Sequence, residues 1–163
     1  MSNPKQKSPF QPVAAADIAW RTWGHGETFV TRSRHLTQAV VGERAYRVGV
    51  VIEELAPGKQ SCPFHFHMLE EEHILVLEGE CTLRLGEDRL HFKAGDYACF
   101  PPGEMTGHCL INESDAICRY VVIGENNPNE VCVYPDSNKH SVRWLDRTLY
   151  DNAARREYWD GED

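Results

Sequence analysis

The sequence has no apolar run long enough to cross a bilayer; its best candidate, "HILVLEG", is only strand-sized. It has no basic stripe. Its formal net charge is −8, and phosphate contacts dominate nucleic-acid affinity, so no nucleic-acid partner is expected. The polybasic character of a membrane-surface protein is missing as well, so no membrane partner is expected either. The opening stretch, "MSNPKQKSPFQPVAAADIAW", contains no apolar segment of the kind a secretory signal needs. No C-x-x-C pair occurs among Cys62, Cys81, Cys99, Cys109, Cys118 and Cys132. In a chain of this length such cysteines read as reduced, mostly buried side chains of a cytoplasmic protein. There is no internal repeat and no low-complexity segment.

What is present fits one globular domain. The 163 residues are enough for a real core, and 41% apolar with 26% charged residues is the balance of an ordinary soluble protein. From about residue 45 the chain becomes a series of short strand-like runs: "YRVGVVIEEL", "EHILVLEGE", "CTLRLG", "LHFKAGDYACF", "HCLIN" and "ICRYVVIG". Glycine, proline, asparagine or aspartate separates them, which argues an all-β sandwich or barrel. In "CTLRLGEDRLHFKAG" the residues Cys81, Leu83, Leu85, Leu90 and Phe92 alternate with Thr82, Arg84, His91 and Lys93. That is a hairpin turning at Gly86-Glu87-Asp88, with Arg84, His91 and Lys93 facing solvent.

The ends read differently. Residues 1 to about 30 look irregular: Pro4, Pro9 and Pro12 favour extended backbone, and two glycines break "WRTWGHGET". The division expected is an N-terminal arm over 1–45, a barrel over 46–134 and a C-terminal extension over 135–163. Phe10, Trp20, Trp23 and Phe29 of the arm should cover the barrel or a second subunit. Large exposed apolar patches are rare on monomers, so a homodimer is expected. "EVCVYP" is one more strand, and the stretch around Asn152 to Tyr158 has some helical character.

The chemistry concentrates in "CPFHFHMLEEEH". His65 and His67 are two apart, so on a strand both imidazoles point to one face, as a transition-metal ion requires. Glu72 opens the next apolar strand, and "MLEE" is long enough for a reversal that lets it face the same point. His108 follows a second turn, "FPPGEMTG". Glu70 and Glu71 read as exposed turn acids, able at most to replace or support Glu72. His73 adjoins Glu72 and should point away. Cys62 reads as an inert thiol, and Asn112 as a support for its loop. Arg47, Tyr97, Arg119 and Tyr120 lie on strands whose facing the sequence leaves open.

This pattern resembles the cupin superfamily. The first motif appears as Gly58, six residues, His65-Phe66-His67, four residues, Glu72, six residues and Gly79. The second appears as Gly95, five residues, Pro101-Pro102-Gly103, four residues, His108, three residues and Asn112. Gly58 stands one residue further from His65 than the motif has it. The gap from Gly103 to His108 is two residues longer, a strand period that preserves the side-chain face.

The resemblance implies a double-stranded β-helix, the cupin jelly-roll barrel, with His65, His67, Glu72 and His108 on one divalent ion. Three neutral imidazoles and a carboxylate leave that ion a net charge of about +1, which suits Mn, Fe, Ni, Co or, if tetrahedral, Zn. Some small cupins similar to this chain are described as sugar-phosphate isomerases, so a metal-assisted aldose–ketose isomerase is the favoured activity, with a small-molecule substrate. A cupin-type dioxygenase and a non-catalytic binding or sensor module are the alternatives.

Overall fold

The computed structural model describes residues 10–162. Pro4 and Pro9 lie outside the described residues. Thirteen strands follow one another: β1 Arg21–His25, β2 Phe29–His35, β3 Val48–Leu55, β4 Phe66–His67, β5 Glu72–Glu78, β6 Glu80–Leu85, β7 Asp88–Lys93, β8 Tyr97–Phe100, β9 His108–Ile111, β10 Cys118–Glu125, β11 Val131–Tyr134, β12 Lys139–Val142 and β13 Thr148–Asp151. Among the described residues one α-helix, α1 Leu36–Val41, links β2 to β3.

The strands make two facing layers. One is a six-stranded sheet in the order β1-β2-β3-β10-β5-β8. The other joins two smaller sheets, β7-β6-β9 and β4-β11-β12-β13. Their seam is an antiparallel bridge in which His65 and His108 exchange backbone hydrogen bonds of 3.2 and 2.7 Å. The core lies between the layers. Leu55, Ile74, Val76, Phe100, Cys118 and Tyr120 enter from the large sheet, and Cys81, Leu83, Phe92 and Leu110 meet them from the other. This is the antiparallel all-β architecture expected, a double-stranded β-helix.

The alternation read in the hairpin is present. Cys81, Leu83 and Phe92 are buried and His91 and Lys93 exposed, but Leu90 on the edge strand β7 is 44% exposed; Leu85 pairs directly with Asp88, so the turn tightens to Gly86-Glu87. Arg84 also leaves the core, but its guanidinium covers the Phe64 ring at 3.7 Å and pairs with Asp136.

Both ends are more regular than their sequences suggest. Residues 21–35 are not irregular: β1 and β2 form a hairpin that extends the large sheet beside β3. The glycines that looked like breakers make that hairpin. A Cβ on Gly24 would lie 2.0 Å from the Phe29 carbonyl oxygen, a close approach open to glycine alone, and Gly26 takes the turn at φ 59°. Trp20 is covered by Arg32 and Arg34, at 5.1 and 4.2 Å from its ring. At the other end, β12 and β13 add to β11, and no helix forms around Asn152 to Tyr158. That stretch is too short to nucleate one and has no apolar face for tertiary packing to stabilise. No helix is long and apolar enough to cross a membrane among the described residues.

Candidate metal centre

The segment before β4 carries His65 across the seam, β4 carries His67, β5 begins with Glu72 and β9 begins with His108. One ligand atom from each of the four lies within 4.8 Å of all the others. The Nε2 atoms of His65 and His67 are 3.2 Å apart. Glu72 stands between the other two histidines, Oε2 being 3.3 Å from His67 Nε2 and Oε1 3.6 Å from His108 Nε2.

The surroundings fix how each imidazole presents itself. His65 Nδ1 donates to the Pro63 carbonyl at 2.9 Å, which leaves Nε2 to carry the lone pair. His67 Nδ1 faces Glu130 Oε1 at 3.2 Å, the carboxylate–histidine arrangement that orients metal-ligating rings. His108 lies flat against Phe100, ring centroids 3.6 Å apart and planes 5° from parallel. It is 1% exposed, yet neither of its ring nitrogens has a hydrogen-bond partner among the described residues. A buried imidazole left without partners is costly, and an ion on Nε2 would relieve that cost. The donor set thus fits a divalent transition metal.

Electrostatics favour the ligand form at His65 and Glu72, and set a proton against the ion at His67. Burial pushes His65 down to about 4, helped by its neighbours His108 and His67, so it is neutral near pH 7 as a ligand must be. Burial alone would also lower His67. The hydrogen bonds and charges of Glu130 and Glu72 outweigh it and hold His67 up at about 9, so an ion on Nε2 would have to displace a proton there. Burial would raise Glu72, but the surrounding imidazoles keep it far below the usual carboxylate range.

The neighbours sort as follows. His73 does point away: its Nδ1 meets the Tyr97 hydroxyl at 2.6 Å and its Nε2 meets Glu71 at 2.9 Å. Glu70 is not an exposed turn acid. It is 4% exposed, paired with Arg143, whose Nη2 donates to Oε2 at 2.9 Å, and its Oε2 is 3.8 Å from His67 Nδ1. Arg143 comes from beyond β12, too far along the chain for local sequence to announce the pair. Cys62 Sγ is 3.5 Å from His65 Nδ1, and burial pushes its thiol well up, so it stays protonated. Asn112 is fully buried and braces its loop, donating to the carbonyls of Leu55 and Ala116 at 2.7 and 2.8 Å. Within the longer gap before His108, Gly107 packs closely on Phe64: a Cβ there would meet the ring at 2.5 Å.

Sequence reasoning missed Glu130. It is 2% exposed and accepts the backbone N–H groups of Met68 and Leu69, each at 3.0 Å, besides His67. The only signal for it was an acid at the start of the strand "EVCVYP". The donors open onto a cavity of about 430 Å³, which Glu53, Tyr120, Cys62, Trp23 and Arg147 also line. Of the four strand residues whose facing was open, Tyr120 points into this cavity. Arg119 pairs outward with Glu54 and Glu78, Tyr97 is exposed, and Arg47 borders a separate groove.

Comparisons with known proteins agree with this architecture. Residues 51–124 match the model of the cupin domain. A solved structure from Acidithiobacillus ferrooxidans, named as a candidate sugar phosphate isomerase, is 28% identical with a TM-score of 0.79, over 87% of this chain and 90% of that one. A protein from Silicibacter pomeroyi, named a sugar phosphate isomerase of the cupin superfamily, is 24% identical with a TM-score of 0.77, over 92% and 98% of the two chains. A candidate oxalate decarboxylase from Thermotoga maritima shares the fold at 18% identity and a TM-score of 0.60, over 72% and 100%. No curated protein matches the chain. The two-layered barrel, both histidine motifs and the matched segment agree: residues 51–124 of this chain are similar to the cupin domain.

Proposed function

We propose that this protein is a metal-dependent enzyme acting on a small oxygen-rich metabolite, and that the reaction is aldose–ketose isomerisation of a sugar phosphate. The observation that carries the reading is the convergence of three histidines and Glu72 inside a cavity large enough for a sugar. His65, His67, Glu72 and His108 would hold one divalent ion. That ion, when bound, supplies Lewis-acid polarisation of a substrate oxygen.

The chain's own residues do the rest. Pro63 and Glu130 hold the rings of His65 and His67 in the tautomers that direct Nε2 inward. Trp23, 60% exposed on β1, offers a flat apolar face at the mouth of the cavity. Arg147 lines the same cavity and forms no ion pair with the described residues, so its guanidinium is available to a phosphate group. The 28%-identical relative from Acidithiobacillus ferrooxidans supports the same substrate class. The proposal includes self-association through exposed apolar residues such as Trp144, 72% exposed, and a reducing cytoplasmic setting, in line with six unpaired cysteines.

The test is a panel of aldose and ketose phosphates incubated with protein loaded with Mn(II), Fe(II) or Zn(II). Interconversion supports the isomerase. Oxygen consumption without interconversion moves the reading to a dioxygenase. Tight ligand binding with neither signal leaves a binding module.

A further inference from the structure

The cavity contains a carboxylate that the donor set does not use. Glu53 lies on β3, in "VGVVIEEL", where its side chain faces inward with Leu55 while its neighbour Glu54 faces out. An acid on the inner face of an otherwise apolar strand breaks the pattern that folds a sheet, and such breaks mark functional positions. No cation forms an ion pair with it among the described residues, Arg147 only lining the same cavity. The arginines nearest in sheet register, Arg119 and Arg32, are both committed to Glu54 on the other face. Its one hydrogen-bond partner among the described residues is Tyr120, directly opposite on β10, whose hydroxyl donates to Oε2 at 2.9 Å. The second carboxylate oxygen, Oε1, has no partner among those residues.

We propose that Glu53 is the catalytic base of this site, held in place by Tyr120 and acting on substrate carbon held at the four-residue centre. This rests on the isomerase reading above, and it supplies the proton carrier which that reaction needs and the metal donors do not provide. Glu53 takes the proton from C2 of the aldose. The C–H pair becomes the C1=C2 bond, and the carbonyl π pair moves onto O1, giving an enediolate. The hydroxyl proton of O2 passes to O1. The O2 lone pair then forms the ketone, and C1 takes the proton back from Glu53. The carboxylate ends as it began, and no electrons enter or leave.

The environment suits a base working near neutrality. Burial raises the Glu53 carboxyl to about 7; the Tyr120 hydrogen bond works against that rise, and the charge of Glu72 adds to it. The titratable and charged groups around Glu53 are Tyr120 from β10, Glu72 from β5, Cys62 and His65 from the segment before β4, His67 from β4, His108 and Cys109 from β9, Arg147 from the stretch before β13, and His35 beyond Ser33 on β2. A purely structural role would be to accept the hydroxyl of the buried Tyr120, and a glutamine amide oxygen does that equally well.

The decisive experiment follows isomerisation and deuterium uptake into the sugar phosphate in D₂O by NMR, for metal-loaded wild type and Glu53→Gln. Expected is a loss in E53Q of kcat on the order of 10²–10⁴-fold, with metal content and KM close to wild type. In Glu53→Ala, added formate should restore part of the rate by supplying the missing carboxylate. Tyr120→Phe should shift the acidic limb of kcat/KM to higher pH, because the charged form of Glu53 loses a donor. An E53Q protein that isomerises and exchanges at the wild-type rate overturns the assignment while leaving the isomerase intact. A wild type that neither isomerises nor exchanges sinks the isomerase reading, and this one with it.

Discussion

Glu53 and Glu54 are the same residue type, one position apart on β3, on opposite faces of one sheet. Outside, Glu54 joins a ladder of charges: Arg119 Nη2 lies 2.7 Å from its Oε1 and Arg32 Nη1 3.3 Å from its Oε2, and Arg119 also reaches Glu78. Inside, Glu53 has a phenol and no cation. Glu54 is itself only 7% exposed, and the outer face balances its charge with two arginines that reach solvent. The inner face leaves its charge to fixed neighbours and to whatever binds. What separates the two acids is therefore pairing rather than exposure: the Glu54 charge is balanced by two guanidinium groups, while the Glu53 charge is left without an ion pair among the described residues and available for chemistry.

The largest effect should come from removing a donor. His67→Ala is expected to abolish metal binding, read by elemental analysis after loading and buffer exchange; full stoichiometry in that variant would refute the assigned centre. Next comes the residue behind the donor. Glu130→Gln keeps shape but replaces the carboxylate that orients His67, so metal affinity should fall roughly 10–100-fold in chelator competition. Unchanged affinity would reduce Glu130 to a brace for Met68 and Leu69.

The third prediction turns the comparison into stability. Folded Glu53 holds its proton up to about 7, whereas an ordinary carboxyl releases it near 4.5. Between those values the native state binds a proton that the unfolded chain has lost, so stability falls as pH rises through this window. Metal-free E53Q escapes the loss. It should be more stable than wild type by about 2 kcal/mol near pH 8, allowing for the water in the cavity, and no more stable near pH 4. Denaturant titrations at the two pH values check this, and a constant difference would point to packing instead. The smallest effect belongs to the outer ladder. Because Arg32 still reaches the buried Glu54 carboxylate, Arg119→Ala should cost only about 1 kcal/mol, checked by denaturant titration. A larger cost would show that the two faces differ less than described.

Much of the centre was legible because strand periodicity is strict. Two histidines at a spacing of two must share a face, and an insertion of two before His108 keeps its face. The barrel was legible from the spacing of short apolar runs and their turn residues. Glu130 and Glu53 were not. Each is one acid among the 25 acidic residues, and what distinguishes it is inward facing, which depends on the register of distant strands. Glu70 was misread for a related reason: its partner Arg143 is 73 positions away, and without a cation in view an acid on a turn defaults to solvent. The β1–β2 hairpin was hidden by Gly24, which reads as a breaker until the closeness of Phe29 explains it.

The seam at His65 and His108 has a consequence for the order of assembly. Three donors belong to the smaller layer and Glu72 to the larger, so the full set comes into being only when the layers have closed on each other. Nothing in the nascent chain can capture an ion with four donors. Uptake of an ion at this centre would therefore be a late event that reports completed closure, with a rate no greater than that of the slow, long-range strand pairing that precedes it.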